Sequence, residues 1–91
     1  MTLFTVKDNQ DNIIVDSLEV RSVELTNNDD SIECEVGIPV IVSFPFSLIT
    51  SLLGKTSKLF IDGDKIAEGE TISVYKINSG SIDLFKFTLK K

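Results

Sequence analysis

Ile32, Cys34 and Val36 alternate with Glu33 and Glu35, the period-2 pattern of a strand with one buried face and one solvated face. Similar alternation recurs along most of the chain. Thr2 to Lys7 and Ile13 to Val15 are β-prone runs either side of Asp8-Asn9-Gln10-Asp11-Asn12, a cluster of turn formers, which predicts a hairpin. Leu18 and Val20 fall on one face and Val23 and Leu25 on the other. A strand over 18–25 therefore needs a β-bulge near Arg21-Ser22 to absorb the change of phase. A turn over Thr26 to Asp30 leads into the strand carrying Ile32, Cys34 and Val36.

Ile38, Val40, Val42 and Phe44 alternate as a further strand. Pro45 suits a first helical turn, Phe46, Ile49 and Leu53 share a helical face, and Gly54 suits a helix stop, so one short helix is expected near residues 45–53. Ser57 to Ile61 then returns through Asp62-Gly63-Asp64 into Lys65-Ile66-Ala67, and the Asp-Gly pair suits a tight primed turn. Thr71 to Ile77 and Ile82 to Leu89 flank Asn78-Ser79-Gly80, and the last strand changes phase at Leu84-Phe85, which predicts a second bulge. The pattern as a whole predicts a mostly β fold: an antiparallel sandwich or small barrel of about eight strands with one short helix.

Length agrees with a single domain over residues 1–91, and the abundance of Val, Ile, Thr and Phe against one alanine, Ala67, favours strands over helices. Val36 to Gly54 is free of charge for nineteen positions, long enough to raise a membrane span. Pro39 and Pro45 would break such a helix, and Ser43, Ser47, Thr50 and Ser51 dilute its hydrophobicity, so no membrane partner is expected. Met1 to Asp8 lacks the basic and long apolar parts of a signal peptide, and the single cysteine excludes an internal disulfide. The expected setting is the cytoplasm, or incorporation in a virion.

Net charge is −5, with nine basic residues spread thinly, so no basic stripe exists to neutralise phosphates and nucleic acid is not an expected partner. Residues 1–36 hold nine acids against Lys7 and Arg21, a balance of −7. Residues 37–91 hold five acids against seven lysines, a balance of +2. Pairing of strands from the two halves is expected to mix these charges.

The absence of histidine removes the commonest general base, the commonest metal ligand and every Ser-His or Cys-His pair. Gly54-Lys55-Thr56 resembles the end of a phosphate loop, but position 49 is Ile where that motif needs glycine. Same-face acid pairs at Asp62/Asp64, Glu68/Glu70 and Glu33/Glu35, and the turn acids Asp29-Asp30, read most simply as solvated side chains rather than catalytic or calcium-binding groups. Cys34 reads as a small buried hydrophobe. No enzyme activity, catalytic residue, metal or cofactor is expected.

What remains is protein–protein contact. Phe44 and Phe46 at the helix entrance, and Phe85 and Phe87 on the last strand, are candidate docking anchors, and Glu19, Glu24, Glu33 and Glu35 are candidates for an acidic patch on one outer face. The function expected from these features is a non-catalytic structural or assembly subunit, homo-oligomeric or part of a larger assembly, such as a small virus or phage virion component of the decoration, tail or baseplate type. The alternative is a small acidic inhibitor or adaptor binding one cellular protein.

Overall fold

The computed structural model describes residues 2–40 and 46–91. Among them are seven strands and one helix: β1 Thr2–Asp8, β2 Ile13–Val20, β3 Ser22–Asn27, β4 Ser31–Pro39, α1 Phe46–Thr50, β5 Thr56–Ile61, β6 Asp64–Ser79 and β7 Ile82–Lys90. All seven strands belong to one antiparallel sheet of order β2-β1-β5-β6-β7-β4-β3.

The sheet is not closed, yet it curls far enough for its inner face to meet itself. Phe4 on β1 and Phe87 on β7 lie three places apart in strand order, and their rings pack at 5.7 Å between centroids. β2 and β4, near opposite ends of that order, also approach each other. The enclosed core is built from the alternating inward residues Phe4, Val6, Val15, Cys34, Val36, Leu59, Phe85, Phe87 and Leu89. Ile49 and Leu52, in and after α1, are buried with them.

Two changes in direction let one sheet do this. The first is at Arg21: Val20 pairs with Thr2 at one edge of the sheet, while Ser22 pairs with Gly37 beside the other edge. The phase change expected to make a bulge within one strand is instead the point where the chain leaves one sheet edge for the other. Arg21 N–H donates to the Gly37 carbonyl at 2.7 Å, and a Cβ on Gly37 would come within 2.4 Å of the Ser22 hydroxyl oxygen, so a larger residue there would make the Ser22 side chain turn away. The second change is in β6, whose first half pairs with β5 and whose second half pairs with β7, with a register shift between Thr71 and Ser73. The runs expected as separate strands at Lys65 to Ala67 and Thr71 to Ile77 are therefore one bent strand.

Other expectations are corrected in the same way. Ile32 to Val36 and Ile38 belong to one strand, β4, because the alternation passes through Gly37 without interruption. Val40 is in a turn, and Val42, Phe44 and Pro45 lie outside the described residues. The helix is shorter than expected: α1 ends at Thr50, and a run of turn hydrogen bonds, Leu52 N–H to Ile49 and Lys55 N–H to Leu52, carries the chain on to Gly54 at φ 81°. The Asp62-Gly63 turn is as expected, with positive φ at both central residues, 50° and 88°, as a type I′ turn demands. Asp62 adds a role that spacing does not reveal: its carboxylate accepts from Leu3 N–H at 2.8 Å and its own N–H donates to the Leu3 carbonyl, extending the pairing of β5 with β1.

Candidate functional site

No bulge occurs at Leu84-Phe85; β7 is regular against both neighbours there. Phe85, Phe87 and Leu89 point into the core, so Ile82 and Leu84 point out. Residues paired across antiparallel strands share a face, which lets the outer surface be read row by row. One row runs Ser79, Ile82, Pro39 and the next Ile77, Leu84, Gly37, Ser22. The third runs Tyr75, Lys86, Glu35, Glu24, and the fourth Ser73, Thr88, Glu33, Thr26.

The outer face thus divides along the strand direction. Its end at the β6–β7 hairpin is apolar: Ile77 is 44% exposed, Ile82 and Leu84 are half-buried, and Gly37 offers no side chain to break the surface. Tyr75, 43% exposed, borders this area. A concavity of about 470 Å³ continues it, lined by Arg21, Pro39, Val40, Ser81 and Ile82 among the described residues. The next part of the face, toward β3, is acidic. Glu24, Glu33 and Glu35 surround Lys86, whose ammonium lies 3.3 Å from Glu33. The Glu33 carboxylate is the chief reason that Lys86 holds its proton more tightly than an ordinary lysine, with Tyr75 contributing.

The sequence candidates separate accordingly. Phe85 and Phe87 are core residues and not docking anchors, since each fills the inner face of β7. Phe46 keeps 36% exposure, but its ring packs 5.9 Å from that of Phe85, so it lids the core rather than standing clear of it. Phe44 lies outside the described residues. Glu24, Glu33 and Glu35 do share one outer surface. Glu19 does not join them: it sits on β2 paired with Leu3, at the other end of the strand order. Ile77, Tyr75, Ile82 and Leu84 were missed as a surface, although the phase change at Leu84-Phe85 was the signal for them.

The remaining chemistry-bearing groups serve the fold. Asp8 accepts from the N–H groups of Gln10 and Asn12 and from the Asn12 amide, and those bonds, the side-chain one first, hold its carboxyl below the usual range. The ammonium of Lys58, 2.9 Å from Asp11, lowers Asp11 in the same way, and Lys65 lowers Glu68. Gly54, Lys55 and Thr56 line an open concavity of about 430 Å³ shared with Asp8, Asn9 and Gln10. Burial pushes the Cys34 thiol up to about 12. Among the described residues no group of three or more acids and cysteines is placed to hold a metal ion, and no helix is long and apolar enough to cross a membrane. No family model, curated protein or solved structure matches the chain.

Proposed function

We propose that this chain is a non-catalytic subunit that acts by protein–protein contact, and that the outer face of β6, β7 and β4 is where copies of it meet. The observation that supports this reading most directly is the apolar area formed by exposed Ile77 and half-buried Ile82 and Leu84, bordered by Tyr75 and Pro39. A monomer with no partner gains nothing from leaving those side chains in water. Charge supports a second copy as the occupant. Arg21 rims the apolar area near the hairpin end and the Glu24, Glu33, Glu35 cluster rims it on the other side, so a two-fold related copy would set each against its opposite.

The test is native mass by light scattering on a sizing column, for the wild type and for Ile77→Asp. Self-association gives the wild type a multiple of 10.1 kDa that survives high salt, because its adhesive is apolar, while Ile77→Asp elutes at the chain mass. A wild-type monomer at every salt concentration would overturn the assembly reading. The acidic cluster beside the face would then favour the second reading, an adaptor for one foreign, basic protein.

A further inference from the structure

The two ends of the sheet are not equivalent. β2 is an irregular edge: its register against β1 shifts on both sides of Val6, and Ser17 in its middle has φ 49°. Such distortion twists an edge away from further pairing. β3 has none of these devices. Its six residues pair with β4 without any shift, and it contains no proline, no lysine and no residue of positive φ. Among the described residues no strand pairs with its outer side.

The phase of its free backbone groups follows from the hairpin that joins it to β4. Asn28 N–H donates to the Ser31 carbonyl at 2.8 Å. In an antiparallel ladder the residues that bond to the partner alternate, so Thr26 and Glu24 turn their N–H and C=O groups toward β4. Val23, Leu25 and Asn27 turn theirs outward. Three residues of unpaired donors and acceptors in one line form a template for another strand.

Side chains on either face of this edge define what that strand must carry. On the inner face Leu25, paired with buried Cys34, is still 40% exposed because no described residue covers it from the open side. On the outer face Glu24 stands at the rim with Glu35 directly behind it, and Lys86 makes its ion pair with Glu33. Neither Glu24 nor Glu35 has an ion-pair partner among the described residues. A second copy pairing through its own β3 would bring Glu24 and Glu35 of both chains onto one face, which like-charge repulsion opposes.

We propose that the free edge of β3 receives an extended segment of a partner protein that alternates apolar residues with lysine or arginine, its apolar side covering Leu25 and its cationic side meeting Glu24 and Glu35. This contact is made at the β3 edge, shares Glu24 and Glu35 with the rim of the face on β6, β7 and β4 but none of its apolar residues, and does not require the chain to self-associate.

The probe is a capped eight-residue peptide alternating lysine and valine, with its glutamate–valine counterpart as control, titrated into the full chain and followed by nitrogen-15 NMR. The expected result is binding of the lysine peptide alone, weakened by salt, with hydrogen exchange slowed at the amides of Val23, Leu25 and Asn27. Two variants separate the edge from the charge. Leu25→Pro removes an N–H that points off the sheet, the position in which an edge strand tolerates proline, and should abolish binding while the amide spectrum stays folded. Glu24→Lys with Glu35→Lys should weaken the lysine peptide by about tenfold and admit the glutamate peptide. Failure of the lysine peptide to bind, or binding unchanged in either variant, would overturn the proposal. Because Ile77→Asp leaves β3 untouched, retained peptide binding in that variant is expected whatever its native mass, so the two readings fail separately.

Discussion

At the scale of single residues, the least visible feature of the sequence is a polar pair inside the core. Ser57 on β5 and Thr71 at the bend of β6 are both 2% exposed, and among the described side chains their hydroxyls bond only to each other. Thr71 also anchors the segment after α1: its carbonyl accepts from Gly54 N–H and its N–H donates to the Lys55 carbonyl, each at 2.9 Å. Removing one hydroxyl strands the other in an apolar surrounding, so Ser57→Ala should destabilise by about 1–3 kcal/mol. Adding Thr71→Val removes the stranded group, and the double variant should cost clearly less than the sum of the singles in urea unfolding. Simple additivity would show that the hydroxyls do not depend on each other. Cys34 makes the complementary case. With its thiol pushed up to about 12 by burial, it should resist iodoacetamide at neutral pH in the folded protein and react only at the rate of unfolding. Fast alkylation without unfolding would mean that β3 and β4 open locally.

At the scale of elements, most strands were legible because alternation is a direct record of which face is buried, as over Ile32 to Val36, and the Asp62-Gly63 turn was legible from the tolerance of that pair for positive φ. The errors came where alternation breaks, because a break has more than one physical solution. At Arg21-Ser22 the chain solves it by changing sheet edge, and at Leu84-Phe85 by leaving Ile82 and Leu84 on the outer face. Local sequence does not distinguish these outcomes from a bulge, since the choice depends on which strands arrive alongside. The candidate site was hidden for that reason: Glu24, Glu33 and Glu35 were legible as outward positions, whereas a bulge at Leu84-Phe85 left the facing of the apolar residues beside them open. The bend in β6 has a similar long-range cause. Gly69 lies so close to the end of β7 that a Cβ would come within 2.2 Å of the Lys90 carbonyl oxygen. Gly69→Ala should therefore force the two strands apart and destabilise by roughly 1–3 kcal/mol, measured by denaturant midpoint. A neutral result would mean that the end of β7 yields without loss.

At the scale of the whole molecule, strand order decides where the charge goes. Strands of the acidic first part of the chain, β2 and β1 on one side and β4 and β3 on the other, flank the central β5, β6 and β7, which supply most of the lysines. The two parts are thereby tied together by Asp11–Lys58 and Glu33–Lys86, and the surplus acid is left toward the sheet edges. The first of these pairs lies where the β1–β2 turn meets β5, so its loss should loosen that corner rather than the core. The sign of the pH effect follows from the shift. Asp11 is held below its ordinary 3.8 in the folded chain, so its contribution is present above that value and disappears as pH falls through the lower folded value. Asp8, lowered mainly by its bond from the Asn12 amide, adds to the same loss in the same window. Asp11→Asn keeps the side-chain shape without the charge. Its melting temperature should lie below that of the wild type at about pH 6, and the gap should close as pH falls through the lowered folded value, where the wild-type carboxylate is itself neutralised. A gap that persisted unchanged into acid would assign the effect to the shape of the turn, in which Asp11 already holds φ 63°, and not to the ion pair across the two parts of the chain.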